Sequence, residues 1–508
     1  MILRFTALLL LVASLGVAQP RLASADSANA VLTPLTLDEY FQAVLLNHPV
    51  ARQAYLLGEL AQQDLRLAQG NFDPALKSNF AIKQFGEKNT TYYNTWDTKL
   101  EVPLWFPMDL NVGYERNRGE YLNDELANTD DGLIYAGVTL PLGRGLLVDE
   151  RRTAIRTGRL MQDIAVADQI KEINKVLLNA AKAYWEWYYA YEAFQVIDEV
   201  EVLAETRYEG VVRRVENGDA APFDSLKAFI NYQERDVLRA QAGLEYENAK
   251  LTASVYLWRT DDDNAIPLEI ADNTVPVRTD SAASLSLEDL NDLQRQARAN
   301  HPELLKLGAK IQQLQIQQRL NREFLKPVVN LKYNFLANTL NGEGQQLFDQ
   351  QGIPANGTAA VPWYQNNYRA GVEFYFPLFL RKERAKIAQT RVKLEQNFFE
   401  RSFVQRAVEN EINTAYNTLY NLNTVIDMQQ QMVRNYERLL EGELRKFEFG
   451  ESSIFLINTR ETELLDARVK LLKLYTQYEK AKLELQYAAG VPNLVQASGP
   501  TDVSIPTR

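Results

Sequence analysis

The sequence predicts a mainly α-helical chain with a membrane β-barrel portion, laid out twice on one plan. Three observations predict it: long proline-free stretches with apolar residues spaced by three and four, shorter stretches that alternate apolar and polar, and an internal repeat that spans both. With 24 Gly and 18 Pro in 508 residues, chain breakers are scarce. The absence of cysteine and the presence of only two histidines exclude a disulfide framework, a Cys/His zinc site, a thiol nucleophile and a haem thioether attachment. The balance of 55 basic against 66 acidic side chains, a formal charge of -11, argues against a nucleic-acid partner, which would need a basic surface.

The elements follow in chain order. Arg4 precedes an apolar core from Phe5 to Ala18, and Ala23-Ser24-Ala25 supplies the small residues of a cleavage site, so residues 1–25 read as a secretory signal peptide. No later segment is apolar for long enough to form a transmembrane helix. Two similar openings, Leu35-Thr36-Leu37-Asp38-Glu39 and Leu285-Ser286-Leu287-Glu288-Asp289, lead to Asn47-His48-Pro49 and Asn300-His301-Pro302. The two histidines are one position seen twice. Their surroundings predict a helix end turning into the next helix rather than a metal site.

Period-two segments come next. Leu76, Ser78, Phe80 and Ile82 alternate with polar neighbours, as do Ile134, Ala136, Val138 and Leu140. In the second half Val329, Leu331, Tyr333 and Phe335 alternate, followed by Ala370, Val372, Phe374 and Phe376. Segments of about ten residues, apolar on one face only, fit transmembrane barrel strands. Tyr92, Tyr93, Trp96, Trp363, Tyr364 and Tyr368 near strand ends fit an interfacial girdle, and the polar stretch from Asn338 to Asn367 fits an outer loop. The first half also holds an additional pair, Trp96 to Leu104 and Leu110 to Tyr114, around Phe106-Pro107-Met108. This pair either adds two strands or folds elsewhere. Four or six strands are too few to close a barrel, and open edges cannot face lipid, so other copies must complete it.

The long helices follow. No proline lies between Leu142 and Ala221 or between Leu378 and Val491. An apolar stripe runs through Ile173, Val176, Ala180, Ala183, Trp187, Ala190, Phe194 and Ile197 and, after a charged break at Glu201, through Ala204, Tyr208, Val211 and Val215. The second half repeats it with Ile412, Ala415, Leu419, Leu422, Ile426, Val433, Tyr436, Leu440 and Phe447. Sustained heptads predict coiled-coil packing. Arg152 pairs with Arg384, Tyr184 with Tyr416 and Gly218 with Gly450 without a gap, so the unit is duplicated at domain scale. Each long helix ends at a glycine turn, Asn217-Gly218-Asp219 or Gly450-Glu451-Ser452, and the chain returns as a second helix. No Gly-rich phosphate loop, calcium loop or catalytic set is present: Asp261-Asp262-Asp263 lacks the glycine and distal glutamate of a calcium site. The chain is therefore expected to be no enzyme and to need no cofactor.

A duplicated chain of short helix, Asn-His-Pro turn, strands and very long helical hairpin behind a signal peptide resembles the TolC family of outer-membrane efflux and secretion ducts. The carriers are Leu35-Thr36-Leu37-Asp38-Glu39 through Pro49, the strand-to-helix junctions Val138-Thr139-Leu140-Pro141-Leu142 and Phe374-Tyr375-Phe376-Pro377-Leu378, and the glycine turns. The resemblance implies a homotrimer in the outer membrane of a Gram-negative type bacterium, its β-barrel continuing into a coiled-coil α-helical barrel across the periplasm. It implies passive efflux or type I secretion, with a periplasmic adaptor (membrane fusion) protein and an inner-membrane transporter as partners and outer-membrane lipid around the strands. The corresponding divisions are 1–25 signal peptide, 26–70 periplasmic helices, 71–143 strands with the extra hairpin, 144–258 helical hairpin, 259–284 linker, 285–326 helices, 327–379 strands, 380–490 second hairpin and 491–508 tail. It places the adaptor contact at Gly218, Asp219, Gly450, Glu451 and Ser452, and a candidate pore constriction at Asp224. Here the sequence departs from the family: the second-repeat aspartates of that constriction are replaced by Leu456 and Thr459. The extra hairpin departs from the usual two strands per repeat, which leaves the family's twelve-strand barrel open. A periplasmic coiled-coil scaffold without a pore is the alternative reading.

Overall fold

The computed structural model describes residues 32–83, 93–119, 132–261, 264–278, 287–338 and 368–491. The expected signal peptide, the outer loop at 339–367, the tail after Val491, and Tyr92, Trp363 and Tyr364 lie outside the described residues.

Each repeat opens with a pair of helices. In the first, α1 (Leu37–Asn47) starts at a capping box: Thr36 Oγ1 accepts from the Glu39 N–H at 3.3 Å, and Glu39 Oε2 accepts from the Thr36 N–H at 2.9 Å. His48 then caps α2 (Pro49–Gln69), its Nδ1 accepting from the Val50 N–H at 3.2 Å. His301 does the same between α5 (Leu287–Asn300) and α6 (Pro302–Glu323), accepting from the Glu303 N–H at 3.3 Å. A proline follows each histidine at the first helical position, where no N–H is needed. The Asn-His-Pro triplets are thus helix-to-helix joints.

The long helices are α3 (Glu150–Glu216, 67 residues) and α7 (Arg381–Glu448, 68 residues), each about 100 Å long. They fold back as α4 (Pro222–Ser254) and α8 (Ile454–Ala488). The predicted stripe is the packed face: Ile173, Val176, Leu177, Ala180, Tyr184 and Trp187 form one core with Tyr40, Phe41, Val44 and Ala253. Ile412, Tyr416 and Leu419 form the equivalent core with Ala481 and Leu485. Glu201, the charged break in the predicted stripe, is buried within the continuous helix α3.

The expected linker at 259–284 carries short strands: β6 (Trp258–Asp261), β7 (Asn264–Pro267) and β8 (Thr274–Pro276). β6 and β7 pair with each other, and β8 pairs parallel with β1 (Thr33–Leu35). Tyr184 fastens this patch to α3: its hydroxyl lies 2.7 Å from both the Leu35 and Val277 carbonyls and accepts from the Val277 N–H at 3.0 Å.

The membrane-scale strands form one antiparallel sheet. β2 (Ala75–Lys83), β3 (Tyr93–Pro103), β4 (Asp109–Arg118), β5 (Leu133–Pro141), β9 (Val328–Asn338) and β10 (Tyr368–Tyr375) stand in the order β10-β9-β5-β4-β3-β2. The additional pair of the first repeat therefore belongs to the sheet: β3 and β4 lie between β2 and β5, each in continuous register with its neighbours. They are joined at the helix-proximal end by the turn at residues 104–108, where the Leu104 N–H donates to the Met108 carbonyl at 3.0 Å. β5 pairs with β9, which joins the two repeats in the sheet.

Candidate functional site

Two places are candidates for work: the faces of the sheet and the far ends of the helical hairpins. Residues directly opposite each other on antiparallel strands share a face. One face carries Leu76, Phe80 and Ile82 of β2, Trp96 and Leu100 of β3, and Val112 of β4. It continues through Ala136 and Val138 of β5, Tyr333 and Phe335 of β9, and Val372 and Phe374 of β10. Many of these apolar side chains are exposed, including Leu76, Phe80, Ile82, Val372 and Phe374. An apolar sheet face bare of protein is the surface a bilayer covers.

The opposite face is polar and internally paired. Lys77 meets Glu101 at 2.6 Å, Lys332 meets Glu373 at 2.8 Å, and Arg369 meets Glu115 at 3.0 Å. The Tyr135 hydroxyl donates to Asp97 at 2.8 Å, and Asn111 donates to Thr139 at 3.1 Å. Arg151, in the first turn of α3, grips both Asp109 carboxylate oxygens at 2.6 and 3.2 Å and fixes the helix to the base of β4. Such a face suits water. Trp96 and Tyr368 lie near strand ends as expected, and the exposed Trp105 and Phe106 at the turn between β3 and β4 add two further aromatic side chains at the helix-proximal rim. The turn was visible in the sequence, but the rim position of these two followed only from the pairing.

At the far ends, the two turns share one backbone solution. Gly218 has φ +84°, and the Asp219 N–H reaches back to the Arg214 carbonyl at 2.7 Å while the Gly218 N–H reaches Val215 at 3.0 Å. Gly450 has φ +79°, with Glu451 N–H to Lys446 at 2.8 Å and Gly450 N–H to Phe447 at 3.0 Å. This six-to-one plus five-to-two pattern satisfies the last helical carbonyls and requires a left-handed residue, for which glycine is best suited.

The side chains differ. α4 begins at Pro222 without a side-chain cap, and Asp224 sits in its first turn, 3.9 Å from Lys227. α8 begins at Ser453, which accepts from the Leu456 N–H at 3.4 Å, while Ser452 donates to the buried Glu443. Asp219 and Glu451 are exposed. Arg214 lies over the Phe447 ring, 5.9 Å from its centroid, so the ends of α3 and α7 are neighbours. Farther from the turns Arg207 of α3 is bidentate on Glu461 of α8 and also reaches Asn458 at 3.1 Å. Arg235 of α4 donates to Thr462 of α8. The structure thus brings the two glycine turns into one region. It also exposes Phe223 at the first turn and Phe449 and Phe455 at the second, which charge and glycine patterns did not single out; their only signal was aromatic residues beside the turns. Among the described residues no group of His, Asp or Glu is arranged to hold a metal ion, and no helix is long and apolar enough to cross a membrane.

Comparison with known proteins agrees with this geometry. Residues 293–491 match the family model described as outer membrane efflux protein. No curated protein matches the sequence. Among solved structures, the Campylobacter jejuni CmeC outer membrane channel has a TM-score of 0.60 at 14% identity, over 89% of this chain and 85% of that one. The outer membrane protein VceC from Vibrio cholerae has a TM-score of 0.60 at 15% identity, over 89% and 96%. The open state of the Neisseria gonorrhoeae MtrE outer membrane channel has a TM-score of 0.59 at 14% identity, over 89% and 88%. The fold is that of these outer membrane channels.

Proposed function

From a chain that carries the outer membrane efflux protein domain in its second repeat and has the fold of TolC-family outer-membrane channels, we propose a passive duct. Three copies stand in the outer membrane, their sheets forming the wall of a pore and their helical hairpins prolonging it through the periplasm. An inner-membrane transporter and its adaptor drive efflux or type I secretion through it. The observation that carries the reading is the sheet with one apolar, bare face and one polar, ion-paired face, fixed by Arg151 to the start of a helix about 100 Å long.

The residues divide the labour accordingly. The paired charges on the polar sheet face line water without leaving uncompensated charge near lipid. The turns at Gly218, Asp219, Gly450, Glu451 and Ser452 are the adaptor contact, together with the exposed Phe223, Phe449 and Phe455, which supply apolar area for an interface core. Asp224 lines the constriction, with Lys227 beside it offsetting part of its charge. No step breaks or makes a covalent bond.

Fractionation tests the reading directly. The protein is expected in the outer-membrane fraction as an oligomer whose gel migration shifts on heating, and it should give discrete currents in planar bilayers. Recovery as a soluble periplasmic monomer would end the duct proposal in favour of a coiled-coil scaffold.

A further inference from the structure

The two end strands of the sheet, β2 and β10, have no partner among the described residues, yet both carry the bare apolar face. A strand edge in hydrocarbon leaves backbone N–H and C=O groups unsatisfied, and water cannot repair them there. The two edges are compatible. The sheet has an even number of antiparallel strands, so β10 of one copy and β2 of the next run in opposite directions when placed side by side.

The chain contains a template for that junction. Inside it, the last strand of the first repeat, β5, pairs with the first strand of the second, β9. Counted without a gap from the Asn-His-Pro turns, β2 occupies the place of β9, since Pro74 stands where Pro327 does and Phe80 where Tyr333 does. Counted from the strand-to-helix junctions Pro141-Leu142 and Pro377-Leu378, β10 occupies the place of β5, with Phe374 for Val138 and Val372 for Ala136. The observed pairs Val138–Tyr333 and Ala136–Phe335 then translate into Phe374–Phe80 and Val372–Ile82 between copies.

We infer, resting on the duct reading, that β10 of each copy pairs with β2 of the next in this register, and that three six-stranded sheets close a barrel of eighteen strands rather than twelve. With strands about 4.8 Å apart and tilted ~40°, the backbone diameter is about 36 Å instead of about 24 Å. The β3–β4 hairpin is thereby a widening element. It cannot be withdrawn without breaking register on both sides.

The helices support the same template. Within the chain α3 meets α6 through Lys171–Glu303 at 2.5 Å and Lys306–Asp168 at 2.7 Å. The repeat positions of Lys171 and Glu303 are Phe403 on α7 and Val50 on α2, both apolar and both exposed. On α2, Leu67 is 79% exposed where its counterpart Leu320 is 5% exposed, and Leu56 is 56% exposed where Ala309 is 7% exposed. The surface that α6 buries inside the chain is bare on α2, and the next copy's α7 is the element that covers it.

The chain has no cysteine, so introduced thiols report alone. The double variants Val372→Cys with Ile82→Cys and Phe374→Cys with Phe80→Cys, made in the full chain in its membrane, are expected to oxidise into covalent dimers and trimers. The displaced pair Val372→Cys with Ser78→Cys is expected to stay monomeric on the gel. Single variants test the hairpin: Lys99→Cys and Asn111→Cys should react with a charged, membrane-impermeant thiol reagent, whereas Leu100→Cys and Val112→Cys should not. Equal reaction of all four would put the hairpin outside the wall and overturn the eighteen-strand barrel while cross-linked trimers kept the duct. Cross-linking of the displaced pair in place of the matched ones would overturn the register. Absence of any cross-link in a soluble monomer would remove both the barrel and the duct.

Discussion

α3 and α7 are the same helix written twice, yet they live in different surroundings. α3 is enclosed by α2, α4, α6 and α8 of its own chain, and Leu177, Ala180, Tyr184 and Trp187 are fully buried. α7 keeps the inner stripe, with Ile412, Tyr416 and Leu419 covered, but its outer side is bare: Phe399 is 76% exposed where its repeat counterpart Ala167 is 3% exposed. Duplication conserved the face that makes a hairpin. The other face diverged: on α3 it is covered within the chain, and on α7 it is bare, where the proposed trimer supplies the cover. The small Ala167 admits a close neighbour; the large Phe399 and Phe403 present area to one that has yet to arrive.

The sharpest way to break this comparison is to remove the centre of the enclosed helix. Trp187→Ala should cost about 3–5 kcal/mol, read as loss of folded protein or a lower denaturant midpoint. Phe403→Ala should leave helix content unchanged and the unfolding free energy within about 0.5 kcal/mol of the parent, and reduce the oligomer fraction on a heat-modifiability gel. Equal loss of fold from both would mean that the outer face of α7 is structural within one chain. Next in size is the tie between hairpins: Arg207→Ala leaves the mostly buried Glu461 carboxylate without its bidentate partner and should cost about 2 kcal/mol, seen as faster proteolysis near the turns. Gly218→Ala and Gly450→Ala each force a side chain into the left-handed region, at about 1 kcal/mol apiece. Their effects should match because the backbones do; unequal melting shifts would show that the side chains around the turns matter more than the glycine.

A smaller effect lies at the histidine caps. Burial holds both His48 and His301 below the usual imidazole value of 6.5, against a favourable Glu303 at the second site. Each accepts a backbone N–H and so must be neutral at Nδ1. With the folded pKa depressed, the unfolded chain takes up protons first. The stabilising contribution is therefore complete above pH 6.5 and declines as pH falls below it. Replacing both with Asn, which caps without titrating, should flatten that part of the stability profile. An unchanged profile would assign the acid sensitivity to carboxylates. The smallest expected change is Asp224→Asn: with Lys227 already nearby, cation preference in planar bilayers should fall modestly, and identical currents would remove Asp224 from the constriction.

Much of the fold was legible because its signals are local. The stripe from Ile173 to Val215 and the alternation in β2, β5, β9 and β10 need only nearest turns or neighbours to be read, and the glycine turns announce themselves by residue type. Whether β3 and β4 join the sheet was not legible, since that depends on pairing with β2 and β5 rather than on their own pattern. Glu201 looked like an interruption because polarity was read without depth; the helix keeps its period and buries it. The strands β6 to β8 were hidden in a polar stretch: β8 is ordered by contact with β1 and Tyr184, and β6 and β7 by pairing with each other. Of the candidate site, the turns were legible. The exposed phenylalanines beside them were not, because aromatic residues near a helix end read equally well as core.

The pairing of β5 with β9 also governs when the wall can form. Leu133 faces Asn338 and Pro141 faces Asn330, so the seam closes a loop of about 200 residues that contains a whole helical hairpin. Contacts between α3 and α4, or between α7 and α8, span far shorter stretches and are expected to close early, whereas the seam must wait for β9 of the second repeat. Until then β2 to β5 and β9 to β10 are separate, unmatched ribbons. On these separations the helical hairpins are expected to form before the wall, with the unpaired strands most exposed to aggregation in the interval.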